Sequence, residues 1–531
     1  MRRFDLSIGF LIIVMGALPI ASFSAAGASA VADAVMNRDF AGLQALIRQK
    51  ADVNIPQADG GTALHWAAHW DNLDAVDLLV RAGANPKAAN RFGATPLYLA
   101  CENASPAVIA KLLSAGADPN VAVLANGETP LMIAARSGRT ESVKILLDAG
   151  ANTETKESVR QTTALIWAAE QGHADVAALL LARGASATAA SKVVVPPARG
   201  RAPAADDDDD DAAPVLPPEA NARGGMTALI VAVREGSVET IKALLNGGAP
   251  INQPYGDGST PLLLALQNGN AEVARLLMER GADVNLANGK GWNPLYLAVK
   301  ARTMESGTMP NPTVDTVAMM DVIRLLVEKG AAVNARLKAN TEIHNSIMAT
   351  WLREPGATPF LRAALGGDLE VMKLLLAHGA DPKINAADGT TPLMAVAGVG
   401  YSEGFMHDFG GPEQSLEAMK LLLDLGIEVN AVNSDKVMAV HGAAHKNFVG
   451  GIQMLVEHGA DLAARSHRVS QFERKGSPGN TALDWATGVS VASQSSIYHE
   501  EAVQTVKKLM AERNIPIDAL STTKGGLVTP R

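Results

Sequence analysis

The sequence of 531 residues contains a single cysteine, Cys101. One cysteine excludes an intramolecular disulfide framework, a thiolate zinc site and a CxxCH haem-attachment motif. Related segments of the chain carry alanine where Cys101 stands. We therefore predict that Cys101 packs as a small apolar residue.

Aromatic residues are also scarce, at 4% of the chain, although 47% of the residues are apolar. The core must then consist mainly of Ala, Leu, Val and Ile, whose small side chains let helices approach closely. The formal net charge of −9 lacks the basic surplus that phosphate binding requires. No nucleic-acid partner is expected.

Long apolar runs are missing beyond the N-terminal region. Arg2 and Arg3 precede an apolar run over residues 8–20, and small residues follow at positions 28–30. This order is typical of a secretory signal peptide, which we assign to residues 1–30 with cleavage at its end. The protein would then be periplasmic or secreted, with no membrane span after cleavage. An uncleaved N-terminal anchor is the alternative.

The common signatures of catalysis are absent from the sequence: it has no GxxxxGK[ST] loop, no GxSxG elbow and no GxGxxG turn. We expect no enzymatic activity and no cofactor. His65 with His69, and His441 with His445, have the i,i+4 spacing of metal ligands, but neither pair has a third ligand nearby in sequence. We predict no metal site.

A short phrase recurs along the chain, mostly about every 33 residues and in four places after a longer interval of 43 to 65 residues. Its copies begin at Thr62, Thr95, Thr129, Thr163, Thr227, Thr260, Asn293, Thr358, Thr391, Met438 and Thr481. Such a period indicates a stack of similar units, each in contact with its neighbours only.

One unit shows how the phrase works. Thr95 is a natural N-cap, and Pro96 suits the first helical position, where a missing N–H is harmless. Apolar residues at helical spacing over 108–113 predict a second helix, which Gly116 ends as a left-handed cap. Each period therefore encodes a turn, a helix, a second helix and a glycine.

Together, the phrase Thr-Pro-Leu-His-x-Ala-Ala and a later Gly-Ala-Asp-x-Asn resemble the ankyrin repeat. The closest copies are Thr62–Ala68 with Gly83–Asn85, and Thr260–Asp283. The resemblance covers about residues 31–515 and implies an all-α solenoid of about twelve helix-turn-helix units with β-turn fingers. It fits a bacterial, exported, multi-repeat protein. It also implies that the histidine of the phrase is structural.

The spacing between copies of the phrase is longer at several places. Residues 186–223 are rich in Pro, Ala and Asp and are predicted to be a disordered linker. The linker divides the chain into a first array, 31–185, and a second array, 224–515, with a tail at 516–531. The aspartate run Asp206–Asp211 lacks the spaced turns of a calcium loop. The second array carries inserted loops, of which residues 400–409 are the most aromatic.

The resemblance implies a non-enzymatic, monomeric scaffold that binds a protein along the inner helices and the fingertips. The residues that we predict to contact a partner are His69, Trp70, Arg91, Phe92, Glu102, Asn103, Arg136, Arg160, Tyr255, Asp257, Lys290, Trp292, Phe405 and His407. Phe92, Tyr255 and Trp292 could instead pack on the next finger. Trp66 and Trp167 are expected to pack between units.

Two other functions stay open. One is an accessory or inhibitory subunit of a periplasmic enzyme, acting through the loops of the second array, although loop 400–409 could also be a flap packed on its own helices. The other is a weak enzymatic or ligand-binding role in a pocket at an insertion.

Overall fold

A computed structural model describes residues 29–123, 125–197, 217–303, 314–341, 353–401, 409, 411–467, 479–488 and 498–517. These residues form 24 α-helices, one 3-10 helix and two short β-strands. The predicted all-α repeat fold is confirmed.

The helices alternate between the two positions of the repeat. They are α1 (Ala30–Met36), α2 (Phe40–Arg48), α3 (Ala63–His69), α4 (Leu73–Arg81), α5 (Pro96–Glu102), α6 (Pro106–Ser114), α7 (Pro130–Ser137), α8 (Thr140–Asp148), α9 (Ala164–Glu170), α10 (Ala174–Ala182), α11 (Ala228–Glu235), α12 (Val238–Asn246), α13 (Pro261–Gln267), α14 (Ala271–Glu279), α15 (Pro294–Thr303), α16 (Thr316–Glu328), α17 (Pro359–Leu365), α18 (Leu369–Ala377), α19 (Pro392–Ala397), α20 (Gly411–Asp424), α21 (Ala439–His445), α22 (Val449–Glu457), α23 (Ala482–Gly488) and α24 (Glu500–Glu512). The 3-10 helix is Pro218–Asn221, and the strands are β1 (Val193–Val194) and β2 (Arg223–Gly224).

The chain divides into two compact units at a boundary after Tyr255. The first unit contains α1–α12 with the two strands, and the second contains the 3-10 helix and α13–α24. Within each unit the first helices of successive pairs pack on one another, and so do the second helices. Each unit is therefore a two-layered stack of helix pairs.

The repeated phrase starts the first helix of each pair. The hydroxyl of Thr95 accepts the amide hydrogen of Tyr98 at 3.3 Å, and Pro96 occupies the first turn. The same hydroxyl-to-amide cap occurs at Thr129, Thr227, Thr260, Thr358 and Thr391. The apolar residues that follow the cap enter the core, as Leu97 does with no exposed surface.

Asparagine side chains join neighbouring repeats. Asn120 Nδ2 donates to the carbonyl of Gly150 at 3.0 Å, and its Oδ1 accepts the amide hydrogen of Asn152 at 2.8 Å. The same pair of bonds occurs at Asn54, Asn285, Asn334 and Asn430. These five asparagines, each four residues after the residue of positive φ that ends a second helix, thus bind the glycine cap of the next repeat.

The region predicted as a disordered linker, 186–223, is ordered at both ends. β1 and β2 pair antiparallel, with Val193 opposite Gly224, and the Ser191 amide donates to the Met226 carbonyl at 3.0 Å. The disorder prediction is wrong for these residues because their backbone groups continue the row of fingers. Residues 198–216, which include the aspartate run, lie outside the described residues.

The block boundary also differs from the predicted one. α11 packs on α9, and α12 packs on α10, so the helix pair after the linker belongs to the first unit. The linker interrupts the sequence and leaves the stack of this unit continuous.

The loops inserted in the second unit fall between helices, as the spacing indicates. α15 ends at Thr303 and α16 begins at Thr316, and α19 ends at Ala397 before α20 begins at Gly411. Residues 304–313, 342–352, 402–408, 410 and 468–478 lie outside the described residues, as do residues 1–28, where a signal peptide is predicted, and the tail from 518.

Candidate functional site

The histidines of the phrase are structural, as predicted. His65 Nδ1 accepts the backbone amide hydrogen of Thr62 at 3.0 Å, and its Nε2 lies 3.0 Å from the carbonyl of Ala94 in the next finger. His441 repeats this arrangement with Met438 and Ala464. Both rings are buried, and both nitrogens of each ring lie within hydrogen-bond distance of backbone groups. Each histidine therefore connects the start of its own helix to the next finger.

Cys101 is fully buried, and burial raises the pKa of its thiol. The predicted packing role is confirmed, because a thiol shielded in this way is inert. Within the described ranges, no group of three or more His, Cys, Asp or Glu side chains is placed to hold a metal ion.

An aromatic cluster lies at the end of α3. The rings of Trp66 and Trp70 are stacked, with centroids 6.2 Å apart and planes inclined by 24°. His69 meets Trp70 edge-on at 4.7 Å, and the guanidinium of Arg38 lies 4.0 Å from the Trp70 ring centre. His69 is exposed, and both indoles are half-buried. The chain thus presents two large rings that its own core does not cover.

Trp66 departs from its expected position between units. Its Nε1 donates to Gln57 Oε1 at 2.6 Å, and the ring stays partly exposed. Trp167 follows the prediction: it is buried, its Nε1 donates to Thr162 at 2.9 Å, and Arg136 of the preceding repeat lies over its ring.

Acidic residues adjoin the aromatic cluster. Glu102 ends α5 half-buried, and within the described part of the chain its carboxylate has no hydrogen-bond or ion-pair partner. Burial raises the pKa of Glu102, and the neighbouring Glu128 raises it further, while Arg136 acts against both. Glu128 accepts a hydrogen bond from the Tyr98 hydroxyl at 2.9 Å. The surroundings of Glu102 therefore disfavour the ionised form of its carboxyl group.

Further along the same surface, charges are paired within the chain. Arg160 Nη1 lies 3.0 Å from Glu170 Oε1, and Arg234 Nη2 lies 3.6 Å from the same oxygen. We name the surface formed by Trp66, His69, Trp70, Glu102, Arg136, Glu170 and Arg234 the first-helix surface, since all lie on or at the end of α3, α5, α7, α9 and α11.

The other predicted contact residues of the first unit differ in exposure. Phe92 is 62% exposed at a fingertip beside the exposed Arg91, so it does not pack on the next finger. The side-chain amide of Asn103 is already hydrogen-bonded within the chain, since its Nδ2 donates to the carbonyl of His69 at 2.6 Å. Tyr255, at the end of this unit, is half-buried.

In the second unit the predicted fingertip residues face other fingers. Trp292 Nε1 donates to the carbonyl of Asn340 at 3.3 Å, and the ammonium of Lys290 lies 4.8 Å from the Trp292 ring. Asp257 Oδ1 accepts the amide hydrogen of Ser259 at 3.0 Å. For Trp292 the alternative of packing on the next finger is the one that the structure supports.

The aromatic loop is anchored at both of its described ends. Tyr401 lies 5.2 Å from the ammonium of Lys446, and Phe409 lies 4.1 Å from the guanidinium of Arg302. Phe405 and His407 lie outside the described residues. The anchoring agrees with the flap alternative for these ends.

Sequence reasoning missed the buried ion pair beneath Phe409. Arg302 is 5% exposed, and its Nε lies 2.7 Å from Asp368, which is fully buried and caps α18. No local pattern could have paired them, because 66 residues separate the two in sequence.

These features define a stack of helix pairs with polar and aromatic surfaces and no assembled catalytic group among the described residues. The ankyrin-repeat family models match residues 31–123, 109–191, 204–288 and 229–337, and a single-repeat model matches 356–387. These matches cover more than half of the chain, which belongs to the ankyrin-repeat family. Ankyrin repeats are typical of protein–protein interaction scaffolds.

Similar proteins share only segments with this chain. Human neurogenic locus notch homolog protein 1 is 47% identical over 58 residues, which are 11% of this chain and 2% of that protein. The mouse nuclear factor NF-kappa-B p105 subunit is 37% identical over 97 residues, or 18% and 10% of the two proteins. The chain thus spans a small fraction of these relatives.

Among solved structures, the human ASB11 ankyrin repeat domain matches with a TM-score of 0.38 and 24% identity, covering 48% of this chain and 99% of that one. Within the described residues no helix is both long and apolar enough to cross a membrane.

Proposed function

We propose that this protein is a non-enzymatic scaffold that binds a protein partner on the first-helix surface of its first unit. The observation that carries the proposal is the aromatic cluster of Trp66, His69 and Trp70. Large aromatic side chains dominate the binding energy of protein interfaces. Here two indoles stay half-exposed, whereas the next two repeats carry Leu99 and Ile133 in place of Trp66, and Asn103 and Ser137 in place of Trp70.

The energetics of the cluster support a binding role. Trp70 Nε1 is shielded from water and has no hydrogen-bond partner in the described part of the chain. A shielded donor without an acceptor costs about 1–3 kcal/mol. Stability alone does not favour an indole there, so we attribute its presence to recognition.

A capture experiment with matched variants tests the proposal. The full chain, wild type or Trp70→Ala, is immobilised and exposed to an extract of the source cells, with bound proteins identified by mass spectrometry. Leu73→Ala is the control, because Leu73 is a 41% exposed apolar residue on the second helix of the same repeat. We expect Trp70→Ala alone to lose the partner, in the presence or absence of a chelator. Equal capture by all three forms would overturn the proposal.

Export is the second part of the proposal, and it rests on the sequence of residues 1–30. The predicted cleavage position has a structural consequence. Ser29 Oγ accepts the amide hydrogen of Ala32 at 3.1 Å and caps α1. Cleavage after Ala30 removes this cap, whose loss costs about 1 kcal/mol. The intact mass of the protein from a periplasmic fraction tests export: a mass lacking residues 1–30 supports cleaved export, and a full-length cytosolic protein contradicts it.

The alternative proposal is an accessory or inhibitory subunit that acts through the loops of the second unit. Supporting it would require a partner that is lost when residues 402–408 are deleted and kept in Trp70→Ala. Because Tyr401 and Phe409 already contact cations of this chain, we rank this alternative second.

A further inference from the structure

Glu102 is the acidic side chain of the first-helix surface that forms no ion pair and no hydrogen bond among the described residues, although the charge of Arg136 acts on it from a distance. Glu170 occupies the equivalent position at the end of α9. Its carboxylate lies 3.0 Å from the guanidinium of Arg160 and 3.6 Å from that of Arg234. Arg136, the cation nearest to Glu102 along the row, lies over Trp167 instead, 5.3 Å from its ring centre. The chain thus satisfies one glutamate of the surface and leaves the other without a partner.

A second acid stands beside the first. Glu128 comes from the next finger and already accepts hydrogen bonds from Tyr98 Oη at 2.9 Å and Asn126 Nδ2 at 3.2 Å. Neither donor carries a positive charge. Burial and the neighbouring Glu128 therefore both act against ionisation of the Glu102 carboxylate in this half-buried region.

The acids and the aromatic cluster form one continuous surface. Asn103, next to Glu102, donates from Nδ2 to the carbonyls of Ala68 at 3.1 Å and His69 at 2.6 Å. These bonds tie the end of α5 to the end of α3. A segment lying across both helix ends would meet the indoles first and the carboxylates next.

We propose that the partner of the first unit presents an extended segment in which a lysine or arginine adjoins an apolar or aromatic residue. The cation would lie between Glu102 and Glu128, and the apolar side chain would lie on Trp66 and Trp70. This inference rests on the proposed function and specifies its ligand. The formal net charge of −9 favours the approach of a basic segment.

The free protein should show the cost of this arrangement. An ionised glutamate that is half-buried without an ion pair destabilises the fold that holds it, and such sites are kept where function needs them. Glu102→Gln is therefore expected to weaken binding and to stabilise the free protein. A residue with a purely structural role would not give these opposite changes.

The experiment selects peptides from a random display library on the immobilised full-length protein and measures selected synthetic peptides by fluorescence anisotropy. We expect the selected sequences to contain Lys or Arg beside an apolar or aromatic residue. Glu102→Gln should weaken binding about tenfold, as expected for a partly desolvated ion pair, with a larger loss at low than at high salt. Glu141→Gln is the charge-matched control, since Glu141 is exposed on the second helix α8.

The outcomes separate the two proposals. Weakening by both Trp70→Ala and Glu102→Gln, with Glu141→Gln unchanged, supports the basic segment. Weakening by Trp70→Ala alone, or selection of neutral or acidic peptides that need Trp70, overturns the basic segment and leaves the binding surface intact. Selected peptides that bind all variants equally overturn both.

Discussion

The guanidinium of Arg136 lies over the ring of Trp167 in the following repeat, and Arg136 Cζ is 5.3 Å from the ring centre. A cation over an indole face gains about 0.5–1 kcal/mol at an exposed site. By lying there, Arg136 forms no ion pair with Glu102 among the described contacts. The surface thus keeps an unpaired carboxylate beside two indoles, which is the arrangement from which we infer its ligand.

Glu102→Gln should raise the melting temperature of the free protein at neutral pH. The pKa of Glu102 is raised in the fold from 4.5, first by burial, so its ionised form is less stable in the fold than in the unfolded chain. The destabilisation is absent below 4.5 and grows as pH rises through the folded pKa. Calorimetry of both forms across pH should therefore show a difference at neutral pH that vanishes in acid; a lower melting temperature for the variant at neutral pH would contradict this.

Asp368→Ala should destabilise the second unit by about 3 kcal/mol, because it removes the buried carboxylate that faces Arg302 and leaves only the half-exposed Glu370, 2.9 Å away. The same change removes the cap that Asp368 provides to the amide of Val371. Asp321→Ala is the control, since Asp321 forms an exposed pair with Arg324 at 3.4 Å and should cost at most about 1 kcal/mol. Urea denaturation measures the free energy of unfolding of both variants. Equal losses would show that the buried pair stabilises the fold no more than the exposed pair does.

The second unit should lose stability as pH falls from 6.5 towards 4. Burial lowers the pKa of His441 to about 4, and burial together with His499 lowers that of His445 to about 4. Both rings are neutral in the fold, whereas the unfolded chain takes up protons below 6.5. Each ring then contributes a loss of up to about 3 kcal/mol.

Urea titrations across this pH range test the histidine prediction. His441→Gln should reduce the pH dependence, and His378→Gln should leave it unchanged because His378 is exposed. An identical pH dependence in all three forms would mean that other groups cause the loss.

The phrase that begins at Thr95 was sufficient to predict the N-cap and the first helix, because those features depend on residues within one period. The structural role of the histidines followed from the resemblance to the ankyrin repeat. The glycine caps followed from the same local chemistry. The stacking of Trp66 and Trp70 also carried a usable signal, since residues four apart share a helix face.

The partners of individual charges could not be read from the sequence. Arg160 was predicted to face a partner, yet it folds back on Glu170 from a finger in the same repeat. Asn103 was predicted at the surface contact, and its amide is used by the preceding helix. Such choices depend on side-chain positions across repeats, where several acceptors lie within reach and no spacing rule selects one.

The most direct test of the binding surface is site-specific photocrosslinking in the source cells. A photoreactive aromatic residue replaces Trp70 in one form and Leu73 in the other, which places the probe on the first or the second helix of the same repeat. The account predicts a crosslinked protein partner from position 70 and none from position 73. Crosslinking from position 73 alone, or the same products from both positions, would contradict it.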